Sequence, residues 1–406
     1  KGAKAGKYEA KLVELRASKP TDTDRVAAFK ALGEAVLLEG ENKPESVQLA
    51  IAKYQEAIEK FGKASELLAQ ADVLNRLGLF YYNKGNYPKA EPLYIQALDI
   101  RRKNLGDNHS YTATSLNNLG LLYSNKGDYS KAEPLFIQAL DIRKKTLGDN
   151  HIDTANSLNE VGLLYSRKGD YSKAEPLLLQ ALEINRKTFG DNHPDTAVSI
   201  NNLATLYDNK GDYSKAEAFY IQALDIYRKV LGDNHPDTAV SINNLAFLYS
   251  KKGDYSKAEL LFIQALDIYR KVLSDNHSTT IICISNLAGL YYRKGDYSKA
   301  EPLFIQVLDI RRKVLSDNHP DTAQSINNLA GLYYNKGDYS KAEPLFIQAL
   351  DIRKKVLGDN HPDTAQSINN LAGLYSRKGD YSKAEPLFIQ ALDIRKKVLG
   401  DNHPDT

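Results

Sequence analysis

The sequence predicts an all-α solenoid of stacked helical hairpins, and three observations carry that prediction. All eight histidines, from His109, His151 and His193 through to His403, fall 42 residues apart. Within the period, as in the unit from Ala197, apolar residues fall at i, i+3, i+4 and i+7, the spacing of one helical stripe. Glycine and aspartate then punctuate every period, and proline most of them, as residues that stop and start helices do.

From Ala71 the chain divides into eight units of 42 residues, covering 71–406. In the unit from Ala197 to Thr238, counting Ala197 as position 1, Ile200, Leu203, Ala204 and Tyr207 form the first stripe. Asp195 and Thr196 after Pro194 supply the helix start, and Gly211 supplies a left-handed stop. Asp212 is placed to cap a second helix with Ala216, Tyr220, Ala223, Leu224, Val230 and Leu231 on its apolar face, ending at Gly232. The polar stretch Asp233-Asn234-His235-Pro236 turns the chain into the next unit. One such hairpin is too small to bury its own face and needs neighbours on both sides. The units beginning at Ala323 and Ala365 differ only at Tyr334/Ser376 and Asn335/Arg377, a mark of recent duplication or design. Six units carry a proline inside the second helix, at Pro92, Pro134, Pro176, Pro302, Pro344 and Pro386, where a local bend is expected.

Residues 21–70 read as a degenerate first repeat. Thr21 to Leu38 supply a first helix, Pro44 breaks the chain, and Ala50, Tyr54 and Ala57 repeat the second-helix spacing. Residues 1–20 form a separate N-terminal segment in which Tyr8 to Leu15 alternate like a short edge strand, read as the remnant of a deleted domain. The chain begins Lys1-Gly2-Ala3 and stops at Thr406 just as a further unit would open, so it is read as an excised piece.

The spacing of Leu203-Ala204, Tyr207, Gly211, Ala216, Tyr220 and Ala223 resembles the tetratricopeptide repeat signature. The 42-residue length and the SINNLAxLY and KAEPLFIQALDI blocks resemble the kinesin light chain type of that repeat. Two places depart from the signature: Ile200 stands where it has a large aromatic, and Arg228 where it has a closing proline. The run from Gly6 to Tyr54 is similar to the lead-in of bacterial proteins that carry a caspase-like CHAT protease domain. The resemblance implies a right-handed superhelix whose first helices line a concave groove, used to bind a protein or peptide partner.

In that frame position 6 presents Asn118, Asn202, Asn244, Asn286, Asn328 and Asn370 to the groove, a row that Arg76 and Glu160 interrupt. An amide both donates and accepts, so a row of them can hold the main chain of an extended peptide. The neighbouring asparagines at position 5, such as Asn201 and Asn327, are expected instead to stabilise stacking. Val198, Val240, Phe247 and Ile282 are expected to form a central apolar patch, and Arg167, Lys251 and Arg293 tilt the groove towards an acidic ligand.

Composition closes off other classes. The 406 residues are 42% hydrophobic and 26% charged, a globular balance. Fifty-four basic against 51 acidic residues is too even for a nucleic-acid binder, and no apolar run is long enough for a membrane span. The histidines sit one per hairpin, about 8–10 Å apart or more, too far for ligands of one metal ion. Cys283 between two isoleucines reads as a small buried hydrophobe, and no phosphate loop or nucleophile elbow occurs. No enzyme activity, cofactor or metal is therefore expected of this chain, and with a single cysteine a reducing, cytoplasmic setting is the expectation. Two rival readings stand beside the peptide scaffold: a sensor arm of a larger CHAT-type protease, and a solenoid that self-assembles end to end.

Overall fold

The computed structural model describes residues 19–41 and 44–399, so the strand expected over Tyr8–Leu15 and the final turn with His403 lie outside the described residues. Eighteen α-helices and no strand occur among the described residues. Two compact units are present, residues 1–77 and 78–406.

The first unit holds α1 (Pro20–Gly40) and α2 (Pro44–Lys63), a hairpin closed by Ala28, Ala31 and Ala35 against Ala50, Tyr54, Ala57 and Phe61. Its polar lock is the Tyr54 hydroxyl, which donates to Glu39 at 2.5 Å and accepts from Arg76 Nε at 2.9 Å. Arg76 stands on α3 (Leu67–Asn83), whose end belongs to the second unit.

The second unit continues in strict alternation. The second helices of the hairpins are α4 (Tyr87–Leu105), α6 (Tyr129–Leu147), α8 (Tyr171–Phe189), α10 (Tyr213–Leu231), α12 (Tyr255–Val272), α14 (Tyr297–Leu315), α16 (Tyr339–Leu357) and α18 (Tyr381–Leu399). Between them run the first helices α5 (Ser110–Asn125), α7 (Ile152–Arg167), α9 (Pro194–Lys210), α11 (Pro236–Lys252), α13 (Ser278–Arg293), α15 (Pro320–Asn335) and α17 (Pro362–Arg377). Each second helix starts where the aspartate predicts: Asp212 accepts from the Lys215 amide, after Gly211 has turned the chain at φ 81°. The first helices start one residue earlier than expected. The cap is histidine, whose Nδ1 accepts from the amide two residues on, as at His193 and Asp195 (3.2 Å).

Ile200, Leu203, Ala204 and Tyr207 are all buried, as the stripe requires. On the second helix the apolar face is rotated from the expected one: Ile226 and Tyr227 are buried with Ala216, Tyr220, Ala223 and Leu224, while Val230 is exposed. Leu231, one residue on, is packed against the core, so Val230 is simply on the outward side of that turn. Every proline-bearing second helix is continuous through its proline, because a proline at the sixth residue removes a single intrahelical bond.

Three hydrogen-bond ladders join hairpin to hairpin. On the seven second helices α4 to α16 a glutamate accepts from a tyrosine of the next first helix and from a lysine at or just past its end, as Glu301 does from Tyr333 (2.9 Å) and Lys336 (2.6 Å). A buried side chain near the end of the second helix spans the turn: Arg353 donates to the Asp363 carbonyl and the Ser367 hydroxyl, both at 2.8 Å. Asn185 makes the same pair of bonds to Asp195 and Ser199, so the linkage needs a donor of the right reach rather than a charge. The third ladder lies on the inner wall and belongs to the site.

The stack coils back on itself. His361 reaches the carbonyl of Asn125, 236 residues earlier and between five and six repeats away.

Candidate functional site

A cavity of about 520 Å³ opens along α13, α15 and α17, the first helices of three consecutive hairpins. Its lining repeats with the sequence. Asn286, Asn328 and Asn370 come from position 6, Gly289, Gly331 and Gly373 from position 9, and Tyr292 and Tyr334 from position 12. Phe304, Phe346 and Phe388 reach it from the second helices, and Phe247 and Arg293 close one end.

The glycines make the space. A Cβ added to Gly289 or Gly373 would meet nothing within 4 Å. In the first three hairpins the same position holds Leu79, Leu121 and Leu163, and the residue before it is glycine instead. A Cβ on Gly78, Gly120 or Gly162 would lie 2.8 Å from Tyr94, Phe136 or Leu178 respectively. These three hairpins thus press the second helix close and cover the wall with leucine. The next two put alanine at the close approach and Thr205 or Phe247 on the wall, and the last three pair alanine with glycine and leave the wall open.

The position-6 amides take part in the stack as well as in the wall. Asn202 donates to Asn159 at 3.4 Å, Asn286 to Asn243 at 3.2 Å and Asn370 to Asn327 at 2.9 Å, in each case a position-5 residue of the preceding hairpin. Positions 5 and 6, expected to divide stacking from binding between them, are therefore partners. Each bond uses one of the donors and acceptors an asparagine offers. Asn328 differs, accepting from Gln324 of its own helix at 2.7 Å.

Position 13 is also tied back, to position 12 of the previous hairpin. Arg167 donates to Ser124 (2.8 Å), Lys251 to Asp208 (2.9 Å), Arg293 to Ser250 (2.9 Å) and Arg377 to Tyr334 (3.2 Å). Asp208 neutralises Lys251, so the expected positive tilt shrinks there. Lys251 and Arg293 both face the Phe247 ring, at 5.0 and 5.4 Å from its centre. Glu160, which interrupts the asparagine row, has its carboxyl held above the ordinary range by burial, against the pull of Arg167 and Arg143.

Of the residues expected in the groove, the cavity brings together Asn286, Asn328, Asn370, Phe247 and Arg293. Asn118, Asn202, Asn244, Arg167 and Lys251 are not among its lining, and neither are Val198, Val240 and Ile282. Val198 and Ile282 are exposed near the starts of their helices, and Val240 is half-buried against the core. Sequence reasoning named neither Tyr292 and Tyr334 nor the phenylalanines among the groove residues; the signal for the two tyrosines was the glycine three residues before each.

No group of three metal-binding side chains occurs among the described residues. Cys283 is buried, its thiol pushed up to about 12 by burial. No described helix is long and apolar enough to cross a membrane.

A stack of helical hairpins with a polar, partly unroofed inner wall defines a helical repeat solenoid of the interaction-scaffold class. The tetratricopeptide repeat family matches in overlapping stretches, 68–145, 123–187, 169–229, 209–271, 280–355, 325–397 and 368–406, and the chain belongs to that family. Its repeats are similar to those of a kinesin light chain-type protein of nearly identical TPR-like repeats from Podosopora anserina, 29% identical over 50% of this chain and 97% of that one, TM-score 0.41. BtubC (BKLC) from P. vanneervenii is 25% identical over 58% of this chain and 92% of its own, TM-score 0.46. A Rap protein complexed with competence and sporulation factor shares the fold at 16% identity, over 93% of this chain and 99% of that one, TM-score 0.59. No curated protein matches the chain.

Proposed function

We propose that this protein is a scaffold that holds an extended segment of a partner protein along α13, α15 and α17. One observation carries the reading: three consecutive first helices omit a side chain at Gly289, Gly331 and Gly373, beside the amides of Asn286, Asn328 and Asn370. Helical glycine costs roughly 0.5–1 kcal/mol against alanine, so three at one register weaken the helices while opening the wall. The amides offer donors and acceptors to a ligand's main chain, and the recesses over Phe304 and Phe346 take its side chains. Among the described residues of the lining Arg293 is the one charged side chain and no carboxylate occurs, so an acidic group on the segment is favoured at that end.

The test fills the recesses with what the first hairpins carry. Binders are selected from a displayed library of short random peptides, and their affinity is measured for the parent and for Gly289→Leu/Gly373→Leu. Leucine favours the helix over glycine, so folding is preserved while affinity falls at least tenfold. Equal affinity would refute the reading.

A further inference from the structure

Seven of the repeat histidines lie among the described residues and cap a first helix in the same way, Nδ1 accepting the amide two residues on. Their surroundings nevertheless fall into two sets. The side chains of His151, His193 and His235 are 40% exposed, whereas those of His319 and His361 are 9% exposed. Local sequence does not separate them, since His235 and His319 both stand in Asp-Asn-His-Pro-Asp-Thr. Place in the coil does.

One turn of the coil brings the His319 and His361 loops onto the hairpin turns at Gly85 and Gly127. His361 Nε2 lies 3.1 Å from the Asn125 carbonyl, and His319 makes the matching bond to the backbone of Asn83. The following prolines press on the glycines: a Cβ on Gly85 or Gly127 would lie 2.6 Å from Pro320 or Pro362 Cδ. At Gly211, Gly253 and Gly337, the same place in other repeats, a Cβ would meet open space.

The bond pattern assigns the imidazole its form. At His361, Nδ1 accepts from the Asp363 amide at 3.0 Å, so it carries no proton, and Nε2–H donates to Asn125. A second proton must go to Nδ1, where it ends the helix cap and places a charge in the seam. We propose that the coil is latched turn on turn through His319 and His361, and that protonating these two imidazoles releases the latch and opens access to the inner wall.

The charged groups around the seam act in both directions. Asp321 and Asp363, with Oδ2 3.9 Å from the neighbouring Nδ1, draw a proton in, and so do the Asn83 and Asn125 carbonyls that accept from the rings. Burial opposes them most, helped by Arg311 and Lys84 at His319 and by Arg353 at His361, and the balance holds both imidazoles below their ordinary value. Tyr87 feels both aspartates and Tyr129 feels Asp363. Lys126, Asp128, Asp359 and Lys397 line a cleft of about 340 Å³ between the Gly127 turn and the Asn360 loop. The latched state binds fewer protons, so it is favoured above the ordinary imidazole pKa of about 6.5 and loses that advantage as the pH falls below it.

Small-angle scattering of the whole chain from about pH 7.5 to about pH 5.5 tests this. His319→Asn/His361→Asn keeps a capping side chain without a titrating ring, and His193→Asn/His235→Asn is its exposed control. The parent and the control should expand on acidification with unchanged helical circular dichroism. The His319/His361 variant should already be expanded at neutral pH and stay so. A parent of constant radius overturns the proton switch, and a His319/His361 variant as compact as the parent overturns the latch. Imidazole NMR gives a check that needs no variant: two of the eight histidine signals should titrate below the rest, and eight alike would contradict the proposal.

Discussion

The Nε2 atom of His361 lies 3.1 Å from the main-chain oxygen of Asn125, and the Pro362 ring beside it packs on Gly127. Gly127 therefore answers two demands, a positive φ of 68° and a surface flat enough to dock, while Gly211 answers only the first, with φ 81°. Gly211→Ala should cost about 1–2 kcal/mol for the left-handed backbone alone. Gly127→Ala adds the collision with Pro362 and should lower the denaturant midpoint further. Equal midpoints for the two variants would mean the docking contributes nothing.

Arg353 is buried yet has no carboxylate among its hydrogen-bond partners in the described residues, and burial lowers its pKa. Tyr227 and Tyr269 occupy the same register in other repeats. Arg353→Ala should cost about 2–5 kcal/mol as a large-to-small change in a packed site, whereas Arg353→Tyr should cost less than about 1.5 kcal/mol. Chemical denaturation of both variants checks the order; alanine as mild as tyrosine would contradict it.

Cys283 reports on local opening. Its sulfur lies 3.5 Å from the Phe262 carbonyl, and burial pushes its thiol up to about 12. Thiolate is the reactive form, so a thiol reagent at neutral pH should modify native protein very slowly and react in full once denaturant opens α12 and α13. Rapid native labelling would show that this stretch of the stack is loose.

The glutamates of the outer ladder set an acid limit. Glu217, Glu259, Glu301 and Glu343 are each held below the ordinary carboxylate range, chiefly by the lysine bonded to them, Lys252, Lys294, Lys336 and Lys378. Lowered carboxyl pKa values stabilise above the unfolded value of about 4.3 and fail as the pH drops through the folded value. Thermal midpoints should hold down to about pH 5 and fall below about pH 4. Glu301→Gln/Glu343→Gln should fall less steeply there, and a slope equal to the parent's would count against the ladder.

The hairpins were legible because their information is local. The Ile200–Tyr207 stripe, Asp212 as a cap and Gly211 as a stop are each written within one or two helical turns. The inner wall was half legible. Position 6 was separable from the core by angle, but its bonding to position 5 of the preceding hairpin depends on how closely two first helices approach, a relation between repeats that no single repeat spells out. The seam was not legible at all. His319 and His235 share their local sequence, and only the accumulated twist of five intervening repeats decides which one finds a carbonyl beneath it.

Hydrogen–deuterium exchange of the whole chain, with and without a peptide selected on it, tests the central claim most directly. The account predicts added protection on α13, α15 and α17, with the second helices α14 and α16 unchanged. Protection confined to α14, α16 and α18, or none on α15, would contradict it.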